Sequence, residues 1–465
     1  PTMHCRRRDE RSALDATRFI LSMRRNGKIP LDQPHIPPPF YLAPRESRHI
    51  RGGTQLTFLD LLAGRKFKDG VFRVESNPDI KGLATSDASK SGLIPTDWKA
   101  LFRATVPYSS LIPESLDNVV IAGKAYCATH DALSAARMQR DLCVMGMVAA
   151  EAVRLARNKA LLLRNIPVPE LQSILIAKGM LKAEDIAEDN LGFVRTPEEL
   201  AKKIAGSSEM DGALMASAML CLLPKEQTFK LLEPYMASPN AAVQRLLSFL
   251  AHPKGLESYL AQVSEALDAS QLTAELFGGT ATKHLMPDQG YAPVAALMLG
   301  SLARAREQRA VPLLVKLAAR IHSDPAGQDL RAGWGYFYSL ACGFERLSSP
   351  EGRVPLRRVL EAPIFNDRIV SRSGDLRKCN DTVSERFSYL RMALSRALVR
   401  CGDAQGALLL CEFLNEARVC IARAARSELV AASGQDFGFD PVRWRAWVQA
   451  NGEAFRVNPL TVSFA

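Results

Sequence analysis

The chain reads as a multidomain protein, an α/β part over residues 1–165 followed by an all-α part over residues 166–465. Three observations predict this. Val119-Val120-Ile121-Ala122 is a short apolar, β-branched run bounded by Asp117-Asn118 and Gly123, the pattern of a strand covered on both faces. A loop ending at Thr129-His130 then leads into a long helix crowded with small residues, through Gly146, Ala149 and Ala150 to Ala156. From about Pro167 onward apolar residues recur at three- and four-residue spacing between short Gly, Pro, Asn or Asp breaks, the period of helices packed on one face.

In the first part, Ser12 to Arg25 has a helical pattern, and Pro30 to Pro44 is a crossing in which Pro37, Pro38 and Pro39 rule out a regular helix or a central strand. Ile50 to Phe58 carries strand-like residues around the Gly52-Gly53 break. Thr57 then stands as N-cap of a short helix beginning Phe58-Leu59-Asp60-Leu61-Leu62. In the long helix, Met138, Leu142, Met145 and Val148-Ala149 form a stripe that belongs to the core, while Gly146, Ala149 and Ala150 allow close approach to a sheet.

The second part repeats. Placing Leu302–Leu317 on Leu398–Phe413 superposes Leu302 on Leu398, Ala305 on Cys401, Leu313 on Leu409, Leu314 on Leu410 and Leu317 on Phe413. The offset corresponds to three units of roughly 32 residues, near the known range of helical repeats. Further helices follow from Val419 to Leu429 and around Trp444 and Trp447. The pattern resembles HEAT-like repeats of the short bacterial type, although a generic helical bundle has the same spacing. A stack of helix pairs buries a continuous core and leaves one face for a protein partner.

Composition narrows the classes. With 47% hydrophobic and 23% charged residues the chain is of ordinary globular type. Its uncharged run from Gly290 to Ala303 falls well short of the roughly 18–20 apolar residues that cross a bilayer, so no membrane partner is expected. Residues 1–165 hold 26 Lys and Arg against 16 Asp and Glu, a net +10 of the chain's +11. That points to an anionic small-molecule ligand or to a solvated basic surface. Nucleic acid is not favoured, because no recognisable binding module or interleaved aromatics accompany the charge. Nine scattered cysteines, with no Cys-x-x-Cys, fit free thiols in a reducing compartment and offer no ligand set for zinc or a [4Fe–4S] cluster. Cys127 reads as a plain thiol. The chain opens Pro1-Thr2-Met3, with Arg6, Arg7 and Arg8 close behind, and is expected to continue a longer protein whose targeting signal lies upstream.

Arg45-Glu46-Ser47-Arg48-His49-Ile50 is followed by Leu56-Thr57 and Asp60. Then come Pro107-Tyr108, Ser110-Leu111-Ile112-Pro113, Asp117-Asn118, Val119-Val120-Ile121-Ala122-Gly123, Ala128-Thr129-His130, Ala132, Arg137 and Met145-Gly146. In this order and spacing they resemble the C-terminal signature of the FAD-dependent oxidoreductase family, over about residues 10–160. The resemblance implies part of a Rossmann-like FAD/NAD(P)-binding flavoprotein domain with a β-containing cap segment, and FAD as cofactor. It implies that the last strand hands over to a helix whose start faces the flavin's N1–C2 edge. There the helix dipole would favour the reduced anion by ~1–2 kcal/mol.

Asn118, Ala122, Gly123, Lys124, Thr129 and His130 are then the cofactor-facing candidates, with Gly123 allowing close main-chain approach. His130 stands as a flavin or substrate contact, a proton relay, or a structural histidine. Arg137 offers its guanidinium to a carboxylate or pyrophosphate, or is a surface arginine. Arg45 and Arg48, with Glu46 between them, hold either a buried ion-pair network or an anionic substrate; His49 reads as incidental. Differences from the family pattern are Lys124 in place of Arg, Arg140-Asp141 in an apolar stretch, Ala150 in place of glycine and Tyr126-Cys127 in place of small residues. Some relatives are grouped with heterodisulfide reductase A-like proteins, which use [4Fe–4S] clusters.

A dinucleotide-binding unit needs G-x-G-x-x-G after a strand, and no such run occurs; Gly333-Trp334-Gly335 lacks the third glycine. The adenine end of FAD therefore has no evident seat in this sequence. Two expectations follow. One is the C-terminal portion of an FAD-dependent oxidoreductase acting on a small organic substrate, with an appended repeat domain. The other is a helical interaction scaffold carrying a non-catalytic flavoprotein remnant.

Overall fold

The computed structural model describes residues 21, 24–25, 27, 48–77, 86–90, 93, 102–188, 195–207, 210–268, 294–322, 334–371 and 382–460. These divide into two compact units that part between Ser258 and Tyr259.

The first unit contains the one sheet among the described residues, an antiparallel hairpin of β1 (Gly70–Ser76) and β2 (Phe102–Pro107). Phe72 stands opposite Val106 and Val74 opposite Ala104, with an irregularity between Gly70 and Phe72. β-Branched and aromatic residues suit this half-covered pleated surface. Ahead of it, α1 (Phe58–Ala63) starts on a complete capping box. The Asp60 N–H donates to Thr57 Oγ1 at 3.3 Å and the Thr57 N–H to Asp60 Oδ2 at 2.8 Å. Thr57 is thus the N-cap that the sequence predicts. The short α2 (Asp87–Lys90) is followed, after β2, by α3 (His130–Ala135), α4 (Gln139–Asn158) and α5 (Val168–Ala177).

Helices α4 and α5 pack on β1. The Gln172 side chain of α5 donates to the Lys68 and Gly70 carbonyls at 2.8 and 2.9 Å, pinning the helix to the strand's entrance. Phe58, Phe72, Val106, Leu111, Tyr126, Met145 and Val148 form a core that continues through Leu171 and Leu175 to Leu246 and Leu250. It thereby takes in α6 (Pro197–Gly206), α7 (Met210–Leu220), α8 (Lys225–Leu232) and α9 (Ala241–Phe249). The change of texture near Pro167 therefore lies inside this unit, while the division of packing falls within α10 (Pro253–Asp268).

The second unit is helical: α11 (Val294–Arg304), α12 (Val311–His322), α13 (Trp334–Leu347), α14 (Arg353–Leu360), α15 (Thr382–Arg400), α16 (Ala404–Glu412), α17 (Val419–Ser433) and α18 (Pro441–Ala450). Alternate helices pack on one another: α11 on α13, α13 on α15, α15 on α17, and likewise α12 on α14 and α16 on α18. Of the residues that superpose at the predicted offset, Ala305 is half-buried where Cys401 is buried, while Leu313 and Leu409 are both half-buried. Leu302 and Leu398, Leu314 and Leu410, and Leu317 and Phe413 are all fully buried. Arg418 and Glu416, both without exposed surface, form an ion pair at 2.8 Å. The pair ties the Arg368 and Val370 main chain and Ser388 to the start of α17. No helix among the described residues is long and apolar enough to cross a membrane.

Candidate functional site

Three of the motif segments converge in the first unit. The Ile50 N–H donates to the Ala125 carbonyl at 2.8 Å, Leu56 to Cys127 at 3.0 Å, and Thr129 back to Leu56 at 2.9 Å. The third segment joins through Gly53 to Ser109, Glu114 to Arg51 and Cys127 to Ser110. Gly52 is where they press closest: a Cβ there would lie 2.9 Å from the Ser109 carbonyl oxygen and 3.2 Å from that of Ile112. The predicted strand character of Ile50–Phe58 is reduced to single bridges, Gly52 with Pro113 and Leu56 with Ala128. His49, expected to be incidental, hydrogen-bonds through Nδ1 to the Tyr126 carbonyl at 2.9 Å. Cys127 is buried in this knot and burial raises its thiol pKa, as a plain core thiol requires.

Asn118 to Lys124 leaves the knot across the surface. The expected strand Val119–Ala122 is not formed. The run is unpaired apart from the Ile121 N–H donating to the Leu111 carbonyl at 2.8 Å, Val119 is 36% exposed, and Asn118 and Ala122 are exposed. A strand buried on both faces needs a neighbouring strand and two covering layers. The described residues supply neither, so the parallel Rossmann-like sheet is absent among them. Upstream, Arg164 fixes the turn by donating to the Pro113, Glu114 and Leu116 carbonyls and pairing with Asp117 at 3.0 Å. Gly123 closes the run at φ 145°; its N–H faces Met145 Sδ at 3.0 Å, and a Cβ there would meet no atom within 4 Å. Lys124 is half-buried.

Thr129 is the N-cap residue of α3, with His130 first in the helix. The long helix expected from this point is broken in two. Ala136 leaves helical geometry at φ −119°, ψ 29°, and α4 begins only at Gln139, after Met138 in extended conformation. The long helix's positive end therefore lies at Gln139 rather than at Thr129-His130, and the six-residue α3 has little dipole of its own. Arg137 occupies the break and is 8% exposed, so it is not the surface arginine that one reading allowed. His130 Nε2 stands 4.0 Å from Asp131 Oδ1, and the fully buried Asp131 accepts the Ser86 N–H at 2.8 Å. Arg48 is exposed. Arg45, and with it the Arg45–Glu46 network, lies outside the described residues.

Two acidic residues were missed from the sequence. Asp131 follows His130 directly. Asp141 is third in α4, the position where a carboxylate answers the helix's unpaired N–H groups. Asp141 is 1% exposed; its Oδ1 accepts from Arg140 Nε at 3.2 Å and its Oδ2 has no partner. Burial raises its pKa, with Arg140 opposing.

These residues suit one end of a flavin. Thr129 Oγ1 is shielded and has no hydrogen-bond partner, an orphaned hydroxyl of the kind a polar ring edge satisfies. Gly123 presents bare main chain to open space. The fit does not extend to the adenine end, because the sequence has no glycine-rich phosphate-binding turn. Among the described residues no group of three or more His, Cys, Asp or Glu is arranged to hold a metal ion.

No curated protein and no solved structure matches the chain. Residues 24–175, about a third of the chain, are similar to the family described as FAD dependent oxidoreductase, the same family that the Arg45–Gly146 motifs resemble.

Proposed function

We propose that the first part of the chain, residues 1–165, is the isoalloxazine-side portion of an FAD-dependent oxidoreductase acting on a small organic molecule. The helices of residues 166–465 would then be a HEAT-like interaction domain. The observation that carries this reading is the family match over 24–175, whose motif segments are knotted together around Gly52. A bound flavin supplies the hydride or electron transfer. The chain's own residues bind and orient. Asn118, Ala122, Gly123 and Lys124 lie along the cofactor edge, and the Thr129 hydroxyl takes the hydrogen bond it lacks. His130 holds a proton at Nε2, turned by the Asp131 carboxylate. Arg137, buried in the break between α3 and α4, positions that turn, and the exposed Arg48 would receive an anionic substrate. The test is optical. The purified full-length gene product should carry a visible flavin band that bleaches on reduction, and Thr129→Val should lower flavin occupancy while leaving the fold intact by circular dichroism.

A second reading is favoured by a different observation, the full burial of Leu302 and Leu398, Leu314 and Leu410, and Leu317 and Phe413 together with the packing of alternate helices. It makes the helical part an interaction scaffold beside a non-catalytic remnant. A colourless full-length product that takes up no FAD would support it.

A further inference from the structure

In the first unit the run from Asn118 to Ala122 has the composition of a buried strand and the setting of a surface. Its centre is apolar and β-branched, Val119-Val120-Ile121, yet Val119 is 36% exposed, Leu116 just ahead of it 50%, and Asn118 and Ala122 are exposed. Neither helix, turn nor bend interrupts residues 119–122. The Ile121 N–H turns inward to the Leu111 carbonyl at 2.8 Å, and that of Gly123, two residues on, to Met145 Sδ at 3.0 Å. In an extended chain successive residues turn their main-chain groups to opposite sides. The N–H and carbonyl groups of Asn118, Val120 and Ala122 therefore face outward, where they have no partner among the described residues.

An exposed edge of this kind is a template for pairing, and proteins that avoid pairing blunt it with lysine, proline or another charge. Residues 118–123 hold no charge and no proline. The charges stand at the two ends and differ in sign. Asp117, held by Arg164 yet 65% exposed, precedes the run, and half-buried Lys124 follows it. That order selects the occupant. Beside a second copy running antiparallel, Asp117 of each copy comes to the Lys124 end of the other, whereas a parallel copy sets like charges side by side. A two-fold axis at Val120 satisfies both edges at once, Asn118 of one copy pairing with Ala122 of the other through both main-chain groups.

We propose that residues 118–122 are the self-association edge of this protein, pairing antiparallel with the same run of a second copy to form a two-fold dimer. The pairing uses the outward main chain of the run and is independent of the flavin reading, since mass rather than colour reports it.

The test is sedimentation equilibrium of the purified full-length gene product, with hydrogen exchange at the 120 and 122 amides. The chain should pass from one copy to two as its concentration rises, and both amides should exchange more slowly in the dimer. Asp117→Lys and Lys124→Asp should each weaken the dimer at least about tenfold by setting like charges together. An equimolar mixture of the two variants should recover it, because the like charges of one then face the opposite charges of the other. If Asp117→Lys disturbs the turn that Arg164 fixes, Ala122→Pro takes its place; it removes one outward N–H and should weaken the dimer as much. A monomer at every concentration overturns the proposal, and slow exchange at the two amides in that monomer would mean that another part of the gene product covers the edge. A dimer that none of these substitutions weakens pairs elsewhere and overturns it equally, as does a mixture of the charge variants that stays monomeric.

Discussion

A methyl group at position 52 has no room, since two carbonyl oxygens and the Cys127 side chain surround the place where it would sit. Gly52→Ala should therefore destabilise the first unit by about 1–3 kcal/mol, the usual range for overpacking against main chain that cannot shift. Urea unfolding is the check, and an unchanged midpoint would mean that the three segments are less tightly knotted. Asp141 gives a pH-dependent counterpart. Its folded pKa is raised, so its contribution to stability is fully present below the unfolded pKa and is lost as pH rises through the folded one. Asp141→Asn, neutral at every pH, should match the parent protein in acid and exceed it near neutrality. Urea midpoints at the two pH values decide this, and a variant less stable at neutrality would mean that the Arg140 contact outweighs burial. At this scale the sequence was partly legible. Thr57 announced its cap by its place before an apolar run, and Gly52 was visible as a break. His49 was not, because its bond is to a main-chain carbonyl far along the chain that no residue type reveals.

Among the elements, α1 rests on its capping box, and Thr57→Ala should cost about 1 kcal/mol, measurable as a lowered thermal midpoint. In the second unit, Arg418→Ala would leave Glu416 buried and uncompensated, a loss of about 3–5 kcal/mol. Chemical denaturation should show it, whereas Arg426→Ala, which removes a partly exposed pair with Asp436, should change little. Helix periodicity was the most legible signal, since burial on one face repeats regardless of distant partners. The Val119–Ala122 strand failed for the opposite reason. Its composition states what it would bury against, but a strand exists only with a neighbour, and the described residues hold none. The break at Ala136–Met138 had no marker either; neither glycine nor proline stands there, and the burial of Arg137 within it and of Asp141 just beyond it in α4 cannot be read from residue type.

At the scale of the whole molecule, sequence texture and packing divide the chain at different places. Texture changes near Pro167, where β-like runs stop, yet the next helices bury Leu171, Leu200, Leu220 and Leu246 in the core of the first unit. Texture reports local period, and only packing reports which core a helix joins. At the repeat offset Leu302 and Leu398, Leu314 and Leu410, and Leu317 and Phe413 are buried alike, whereas Ala305 is half-buried and Cys401 buried; one-face burial of this kind is common to any packed helices. What remains central is whether the knotted segments and the orphaned Thr129 hydroxyl serve a flavin. The visible absorption spectrum of the purified full-length gene product tests this most directly. The expected result is a flavin band that bleaches on reduction and is diminished in Thr129→Val. A colourless, folded protein that takes up no added FAD would contradict it.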